Sequence, residues 1–521
     1  MNILYVNPAK LQSGLDAIIK APPLNLVSIA AMVPEHEATL FDFKIHKFDE
    51  TKFKRLLNRN DVVAITSMTP QISHALEVAK LAKGQGCITI LGGYHPTLDP
   101  DYVIKDENVD YVIRGEGEHT FKELIDYLDK KPASSSIREI DGLSYKTSDG
   151  NVKHNRDRML EPNLDNFPLP RRDLLEDKKY IYLGARVAQM ETSRGCPHSC
   201  KFCCIHKMWR DPYKGTGYRT KSVKRIMQEI YDIDWHNDFI FFCEDNFTIQ
   251  VKRTKKILET IIKSGVSNKI YFSCQSRVDT LYRNPWLIDL MHEAGMRQVF
   301  LGIESVHQES LNAMNKKNTT PKMIKEVVSM LQDRGISIFG GLIIGFPGET
   351  KSMVRENIQF ARSLKLTCAQ FTPITAFPGT VFFEEMKQKG MIATHDYKYY
   401  DLFHPMMKTE QLSVKEMYEL VAEAYSAFYL SGDWIRTAAM RYCNPIGKFN
   451  WMFKNLPRFV KTVIMNGLEM LHSMGMDNSI ISKEMRELMK RDKKQDKRLM
   501  VHSTLEKEPV PLPMMHDRGK N

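Results

Sequence analysis

The sequence contains 521 residues, of which 42% are hydrophobic and 26% are charged. A chain of this length is expected to form two or three globular domains, each with its own core. Its first residues do not form a basic segment followed by a long apolar one, and no window approaches about 18 uninterrupted apolar residues. We therefore expect neither a secretory signal nor a spanning helix. This expectation predicts a cytoplasmic protein. In a reducing cytoplasm, nine cysteines indicate metal binding or catalysis rather than disulfides.

The net charge of +11 raises the question of nucleic-acid binding, but the charge is unevenly distributed. Residues 434–521 contain 17 Lys and Arg against 9 Asp and Glu. Most of the excess lies in this last part of the chain, and nucleic acid is not an expected partner.

In the first zone, short β-branched runs alternate with helical patterns, which predicts strands and helices in turn. The segment "ISHALEVAKLAKG", for example, repeats apolar residues at helical spacing and stops at Gly84. This alternation predicts a Rossmann-like, doubly wound domain over 1–135, with any ligand at the carboxyl ends of its parallel strands. Residues 136–180 are polar and punctuated by prolines, and we expect them to be a linker. The strand candidates are "NILYVN", "ATLFDF", "DVVAITS", "ITILGG" and "VDYVIRG".

The second zone, 181–400, contains six longer strand-and-helix units, which predict a partial (β/α)6 barrel of the TIM type. Its active site should lie at the carboxyl ends of the strands. Such side chains are often only solvated loop residues, but their coincidence on one rim favours function. The polar residues that follow the second, third and fourth strands are Glu244, Asp245, Asn246, Gln275, Arg277, Glu304 and Ser305.

A cluster of cysteines, "CPHSCKFCC", follows the first strand of this barrel. Cys196, Cys200 and Cys203 have the spacing C-x3-C-x2-C, which lets one loop turn three thiolates toward a common centre. A structural zinc site usually takes four ligands in two pairs, and no second pair follows. An iron-sulfur cube held by three cysteines leaves one iron open to a substrate or cofactor. Three unrelated thiols or a zinc knuckle are the alternatives, and Cys204 is expected to be a packing residue.

The motif C-x3-C-x-aromatic-C, here with Phe202, resembles the hallmark of the radical S-adenosylmethionine (SAM) enzymes. The resemblance implies that Cys196, Cys200 and Cys203 hold a [4Fe-4S] cluster whose fourth iron binds SAM. Reduction by a donor such as ferredoxin or flavodoxin would then cleave SAM to methionine and a 5'-deoxyadenosyl radical.

The same resemblance extends along the barrel and implies further contacts to SAM. "GLIIGFPGET" looks like the family's glycine motif on the fifth strand, where Gly341 and Gly345 would let backbone approach the adenine. "CEDN", with Glu244, occupies the position of the motif that meets the methionine amino group. The implied SAM contacts are Phe202 near the adenine, Glu304 at the ribose hydroxyls, and Glu244, Gln275 and Arg277.

The first domain is similar to the cobalamin-binding (B12) domain that precedes many radical SAM barrels, including those of anaerobic cyclases and lipid methylases. "LGGYHPTLDPDYVIKDENVDYVIRGEGEHTFKEL" carries this resemblance. The motif D-x-H-x-x-G, which supplies a histidine below the cobalt, is missing. Its nearest match, Asp42 to His46, has a different spacing and lacks the glycine. We therefore expect cobalamin to bind without that histidine, or the domain to be degenerate and empty. The residues expected at cobalamin are Ser67, Gly92, Gly93, Gly115 and His95, and His95 has a structural role as its alternative.

The C-terminal zone is predicted to form a mainly helical domain over 401–490. Residues 445–475 combine an apolar helical face with lysines, arginines and interfacial aromatics, which is typical of a helix lying on an anionic membrane. An ordinary amphipathic helix that caps the barrel is the alternative. The charged, proline-bearing segment 491–521 is expected to be a disordered tail.

Together these features predict a radical SAM enzyme that modifies an unactivated carbon of a lipid-like or isoprenoid substrate by methylation, cyclisation or C-C bond formation. Methylthiolation of tRNA is an alternative, but it needs a second cysteine trio, and residues 1–180 contain only Cys87. A non-catalytic corrinoid or iron-sulfur carrier is another, although it would not need "GLIIGFPGET" or Glu304.

Overall fold

The computed structural model describes residues 1–9, 19–130, 136–182, 185–211, 215–233 and 237–443. Nineteen strands lie within these ranges. In chain order they are β1 (Asn2–Asn7), β2 (Ile19–Lys20), β3 (Glu37–Asp42), β4 (Val62–Thr66), β5 (Ile88–Gly92), β6 (Tyr111–Ile113), β7 (Leu143–Lys146), β8 (Val152–His154), β9 (Ile181–Tyr182), β10 (Ala185–Met190), β11 (Ser193–Arg194), β12 (Arg210–Asp211), β13 (Gly215–Thr216), β14 (Arg219–Thr220), β15 (Phe239–Phe242), β16 (Tyr271–Ser276), β17 (Met296–Glu304), β18 (Ser337–Ile344) and β19 (Cys368–Pro373).

Helices connect and cover these strands. The α-helices of the described ranges are α1 (Leu24–Ala30), α2 (Glu50–Leu57), α3 (Ile72–Lys83), α4 (Tyr94–Leu98), α5 (Pro100–Ile104), α6 (Gly117–Lys130), α7 (Ile205–Met208), α8 (Val223–Asp232), α9 (Val251–Ser264), α10 (Val278–Arg283), α11 (Pro285–Glu293), α12 (Gln308–Ala313), α13 (Pro321–Asp333), α14 (Lys351–Ser363), α15 (Val381–Gln388), α16 (Val414–Tyr429) and α17 (Gly432–Cys443).

The first sheet has the strand order β3-β1-β4-β5-β6-β7-β8, and its first five strands are parallel. Both of its faces are covered, because alternate residues of β1 enter different cores. Leu4 and Val6 pack with residues of α3, whereas Ile3 and Tyr5 pack with α1 and α6. The predicted Rossmann-like, doubly wound domain is confirmed. This strand order is the flavodoxin-like one, which places ligands beside the ends of β1 and β4.

The second sheet has the order β19-β18-β17-β16-β15-β10-β9-β2. The six strands from β10 to β19 are parallel, and helices follow them along the chain. The predicted partial barrel of six strand-and-helix units is therefore confirmed. The sheet also contains β2, a strand from the first zone of the chain, which pairs antiparallel with β9 at the edge.

The segment 136–180, which we expected to be a linker, contributes structure to the first sheet. Its strands β7 and β8 extend that sheet with antiparallel pairing. Leu143 and Tyr145 join the core of the first domain. Because these strands are only four and three residues long, their polar surroundings obscured the alternation that marks a strand.

The carboxyl ends of the two sheets face each other. Helix α4, which follows β5 of the first sheet, packs against α7, which follows the cysteine loop of the barrel. The hydroxyl of Tyr397, a residue beyond the last barrel strand, donates a hydrogen bond to Asp99 Oδ2 over 2.6 Å. Ligands at the two sheet ends would therefore share one inter-domain space.

The C-terminal region is helical as far as residue 443, as predicted. Helix α16 packs on α14 and β19, and the hydroxyl of Tyr425 accepts a hydrogen bond from the amide of Phe371. In the part of the chain that the structure describes, no helix is long and apolar enough to cross a bilayer. The amphipathic segment 445–475 and the tail 491–521 lie outside the described residues.

Candidate active site

The three motif cysteines lie on one short loop between β11 and α7. Cys196, Cys200 and Cys203 are all free and only partly exposed. Burial raises the pKa of each thiol, and Cys200 lies close enough to Cys196 and Cys203 to raise the pKa of both further. Among the described residues, no three His, Cys, Asp or Glu side chains form a site for a single metal ion. Three neighbouring, partly buried thiols do fit an iron-sulfur cluster, whose metal charge would favour their thiolates.

Cys204, the fourth thiol of this stretch, lies at the start of α7. Burial raises its pKa to about 11, and the charge of Asp245 contributes to this shift. Its thiol also lies near the hydroxyl of Tyr94, a residue of the first domain, whose pKa it helps to raise after the larger effect of burial.

Cationic side chains flank the cysteine loop. Against the larger effect of burial, the charges of Lys316 and Arg277 both lower the pKa of Cys200. Arg277 is itself oriented by Asp279, to which it donates over 2.9 and 3.3 Å. The loop thus presents its thiols beside two positive charges, which favour an anionic cluster.

The segment after α12 holds the cysteine loop directly. The carbonyl of Met314 accepts a hydrogen bond from the amide of Lys201 over 3.2 Å. The Asn315 side chain donates to the carbonyl and hydroxyl of Ser199 over 3.0 and 2.6 Å. Sequence reasoning missed this segment, because nothing in "AMNKKN" marks it as a partner of a loop more than 100 residues away.

A cavity of about 200 Å³ lies beside the cysteine loop and brings together three of the residues that the sequence predicted, Phe202, Glu304 and Gly341. A β-carbon at Gly341 would lie 2.8 Å from the Phe300 ring, so glycine is needed for the packing of this wall. Gln370 and Thr372 on β19 are polar wall residues that the sequence did not predict. The lining residues are Phe202, Phe300, Glu304, Gly341, Leu342, Ile343, Gln370, Thr372, Pro373, Ile374, Thr375, Phe377 and Leu402.

Glu304 enters this cavity with an unusual backbone. Its φ of 63° is left-handed, which is rare for a residue with a side chain. Its carboxylate accepts a hydrogen bond from Lys316 Nζ over 2.5 Å, and the same ammonium donates to the carbonyl of Gly302 over 2.9 Å. A β-carbon at Gly302 would lie 2.6 Å from the Glu304 carboxylate, so this glycine makes room for the ion pair.

Four of the predicted SAM contacts, Glu244, Gln275, Arg277 and Gly345, do not line the cavity. Gly345 has a φ of 86°, and a β-carbon there would lie 2.5 Å from the sulfur of Met417 on α16. Its glycine is therefore required by the turn and by helix packing. Gln275 lies at the end of β16, where its carbonyl accepts the amide of Phe247 over 2.9 Å.

The two carboxylates that follow β15 face different ways. Glu244 is buried, and its carboxylate accepts hydrogen bonds from the hydroxyl and the amide of Thr192 over 2.5 and 3.2 Å. Burial raises the pKa of Glu244 to about 7. Asp245 instead lies close enough to the cysteine loop for its charge, after the larger effect of burial, to raise the pKa of Cys196 and Cys203. Burial and then Glu191 raise the pKa of Asp245 itself to about 6.

The first domain offers a close-packed turn and an orphaned histidine at the predicted ligand edge. At Gly93, φ is 101°, and a β-carbon would lie 2.9 Å from Thr66 Oγ1 and 3.1 Å from the Ser67 carbonyl. His95 is fully buried, and neither ring nitrogen has a hydrogen-bond partner among the residues that the structure describes. Burial lowers its pKa to about 4, so the ring is neutral. A buried ring with two free nitrogens fits a ligand rich in amides, such as the corrin of cobalamin.

The other predicted corrin residues occupy the same edge. Ser67 is buried after β4, and its neighbour Met68 is 50% exposed, so this edge presents apolar surface. Gly92 ends β5, and Gly115, with a φ of 72°, has open space where a β-carbon would lie. His46 does not point to a ligand, since its ring contacts the Glu176 carboxylate and the Asp42 amide.

Comparison with protein families identifies both the first domain and the barrel, and comparison with relatives agrees with it. Residues 190–361 match the radical SAM superfamily, and residues 19–125 match the B12 binding domain. An uncharacterized methyltransferase from Pyrococcus horikoshii is 33% identical over 440 residues, covering 82% of this chain and 93% of the relative. The anaerobic magnesium-protoporphyrin IX monomethyl ester cyclase of Rubrivivax gelatinosus is 27% identical, covering 83% of this chain and 78% of the relative. The hopanoid C-3 methylase of Methylococcus capsulatus is 28% identical, covering 82% and 80%.

Solved structures share the fold at lower identity. The cobalamin-dependent radical enzyme OxsB, with aqua-cobalamin and SAM bound, matches with a TM-score of 0.66 and 17% identity, covering 97% of this chain and 80% of that chain. The methyltransferase TsrM from Kitasatospora setae, with cobalamin and a [4Fe-4S] cluster bound, matches with a TM-score of 0.64 and 15% identity, covering 90% and 100%. Sequence motifs, domain order and relatives agree: the chain belongs to the radical SAM enzymes that carry an N-terminal B12-binding domain, and its cofactors are a [4Fe-4S] cluster, SAM and cobalamin.

Proposed function

We propose that this radical SAM enzyme methylates an unactivated carbon of a large hydrophobic substrate of the isoprenoid or polycyclic lipid class. The observation that carries the proposal is the set of relatives. The relative that is 33% identical over most of both chains is named as a methyltransferase, and others are named for hopanoid and bacteriochlorophyllide methylation. Hopanoids and bacteriochlorophyllides are large, mostly apolar molecules. A cyclisation, as in the protoporphyrin ester cyclases, is the second candidate reaction.

In this proposal the barrel residues hold the cluster and SAM. Cys196, Cys200 and Cys203 ligate the cluster, and Arg277 and Lys316 balance its negative charge. When bound and reduced by a donor such as ferredoxin or flavodoxin, the cluster and SAM would supply 5'-deoxyadenosyl radical chemistry at this site. Phe202 and Glu304 contact the adenosine in the cavity that they line.

We assign the methionine ammonium to Asp245 rather than to Glu244. The carboxylate of Asp245 lies beside the cysteines, whereas both oxygens of Glu244 accept hydrogen bonds from Thr192. A cation next to Asp245 would also stabilise its ionised form, which burial and Glu191 disfavour.

The first domain supplies the corrin site in this proposal, at the ends of β4, β5 and β6. His95 would donate from a ring nitrogen to a corrin amide, and Ser67 and Gly93 would bring backbone close to the ligand. Because this edge faces the barrel, substrate would lie between corrin and SAM, in a space from which the two domains exclude water.

The decisive experiment compares SAM products of matched cysteine variants after anaerobic reconstitution. We expect wild-type enzyme with a reductant to form 5'-deoxyadenosine, and Cys196→Ala with Cys200→Ala to abolish it. Cys204→Ala is the control, because it removes the adjacent thiol that the motif does not use, and it should keep most of the activity. Cleavage that survives the double substitution, or that is lost equally in the control, would contradict the assignment of the cluster ligands.

The substrate class is tested in the source cells. Lipid extracts with and without the gene should differ by one methyl group on an isoprenoid or polycyclic lipid, and a label from methionine should enter that lipid. Unchanged lipids together with an altered tetrapyrrole pool would contradict the lipid substrate and indicate a tetrapyrrole substrate instead.

A further inference from the structure

Two arginines face each other on the small antiparallel strand pair formed by β11 and β14, which we call the hairpin. The first motif cysteine follows β11 directly along the chain. Strands β11 and β14 pair antiparallel, with Arg194 directly opposite Arg219. Like charges at directly opposed positions destabilise a strand pair, and here both side chains are at most 10% exposed. The hairpin therefore needs negative charge from elsewhere to keep its conformation.

That charge comes largely from the first domain. Glu116 Oε1 accepts hydrogen bonds from Arg194 over 2.7 Å and from Arg219 over 3.0 Å, so a single carboxylate bridges the two arginines. Glu118 Oε1 accepts from Arg194 over 2.7 Å. In the barrel, Glu191 completes the set by accepting from Arg194 Nε over 2.6 Å.

The network of Arg194, Arg219 and the three glutamates is buried, so the loss of any one contact should have a large effect. The side chain of Glu116 is 3% exposed and that of Glu118 is 8% exposed. The Arg194 guanidinium also lies 5.0 Å from the ring centre of Phe167 and 5.5 Å from that of Trp209. Removing one partner of a buried charge set leaves the others uncompensated, which is far more disruptive than losing an exposed pair.

The hairpin transmits its position to the cysteine loop through one residue. Gly195 stands between Arg194 and Cys196, has a φ of 81°, and packs so tightly that a β-carbon would lie 2.8 Å from the carbonyl of Gly217. A displacement of Arg194 is therefore passed on to Cys196. The sequence analysis expected Gly115 at the corrin, but the side chains of Glu116 and Glu118, which follow it, reach across to the barrel.

We propose that Glu116, a residue of the B12-binding domain, is a positioning residue for the iron-sulfur cluster of the barrel, acting through Arg194 and the hairpin. The first domain then has a second task beside cobalamin binding, since it completes the framework of the cluster site. The proposal rests on the proposed function only in that Cys196, Cys200 and Cys203 hold the cluster, and it does not depend on corrin binding.

The test uses the full-length chain, reconstituted anaerobically without cobalamin. For Glu116→Gln, we expect a ferrous chelator to remove cluster iron about 10-fold faster than from the wild type, the lower end of the range known for outer-shell partners of metal sites. The electron paramagnetic resonance signal of the reduced cluster should broaden. Glu118→Gln, which removes one contact of Arg194 and none of Arg219, should change both readouts in the same direction by less.

A compensating variant separates positioning from general destabilisation. Glu116→Gln with Arg219→Gln removes the unbalanced arginine together with its carboxylate, and it should restore iron retention and the resonance signal most of the way. Glu123→Gln is the matched control, because this glutamate lies on the same helix as Glu118 but pairs with Arg158 near the surface. The control should behave as the wild type.

The results separate a positioning role of Glu116 from the absence of such a role and from a failure of the proposed function. Wild-type iron retention in both Glu116→Gln and Glu118→Gln overturns the proposal, as does faster iron loss that the second substitution fails to correct. If Glu116→Gln does not fold, the comparison of Glu118→Gln with Glu123→Gln decides. A wild-type chain that takes up no cluster at all would instead contradict the proposed function.

Discussion

Asn357 joins two turns beside the cavity in which we propose that SAM binds, and its removal should loosen both. Its side-chain Nδ2 donates to Glu349 Oε1 over 2.8 Å. Its Oδ1 accepts from the amide of Val306 over 2.8 Å and from the hydroxyl of Ser305 over 3.2 Å. Glu349 in turn accepts from the amides of Gly345 and Phe346, so "LGIES" and "GLIIGFPGET" are connected through one buried amide.

The size of the effect follows from these contacts. Asn357→Ala removes one hydrogen bond to a carboxyl group and two neutral ones, and it leaves buried partners unsatisfied, at a cost of about 3 kcal/mol. Since 1.4 kcal/mol corresponds to a factor of 10, local opening of the turns should become about 100-fold more frequent. Hydrogen exchange of the amides at 305–306 and 345–346 should accelerate by that factor.

The assay is hydrogen-deuterium exchange of the intact enzyme, read at peptides that cover the two turns, with the KM for SAM as the functional counterpart. Phe346 lies 6.3 Å from Phe202 between ring centres, so a looser turn should raise the KM more than it lowers cluster content. Asn312→Ala is the control, because its side chain accepts an exposed hydrogen bond from Gln308 on its own helix. Exchange that stays unchanged at 305–306 in Asn357→Ala would refute the reasoning.

Two further predictions concern the buried carboxyl and the C-terminal helix. Folded Glu244 holds its proton up to about pH 7, whereas an unfolded glutamate loses it near its usual pKa of 4.5. The folded state therefore loses stability as the pH rises between these values. Glu244→Gln removes this dependence, so the thermal midpoint of the wild type should fall relative to that of the variant from pH 5 to 7.5, by the equivalent of about 2 kcal/mol. Parallel curves would refute the assignment. Leu430, Ile435 and Met440 are 54–60% exposed just before the basic amphipathic segment 445–475, and replacing all three by serine should weaken co-sedimentation with anionic vesicles several-fold. Equal sedimentation, or equal binding to neutral vesicles, would contradict a membrane contact.

The strands and the cysteine motif could be predicted because their signals are local. β4 is five consecutive apolar or β-branched residues that are all buried, and its type follows from composition alone. Chain spacing indicated the three cysteines before any contact was known. The direction of the side chains after β15 could not be read in this way. Glu244 and Asp245 are adjacent and similar, and only the position of Thr192, 52 residues earlier, decides which of them turns away from the cluster.

Contacts between distant segments account for the rest of what the sequence did not reveal. Lys316 and Asn315 resemble ordinary surface residues in "NKKN", yet the fold places them against Glu304 and the cysteine loop. Glu116 follows Gly115, which we expected at cobalamin, while its carboxylate neutralises two arginines of another domain. A single sequence contains no periodic signal for such pairs, because their spacing along the chain is set by topology.

The strained backbone of the described residues gathers around the same site, which explains why it needs so many supporting contacts. Four of the non-glycine residues that the structure describes have a left-handed backbone. Three of them, Glu304, Asn315 and Leu402, line the cavity or hold the cysteine loop. Each such residue costs on the order of 1–3 kcal/mol, and surrounding contacts must over-determine it. Lys316 fixes Glu304 through an ion pair, and Ser199 fixes Asn315 through two hydrogen bonds. A cluster loop, a cavity wall and a turn that are each strained alone therefore hold one another in place, and the ion pairs from the first domain extend this mutual support across the domain boundary.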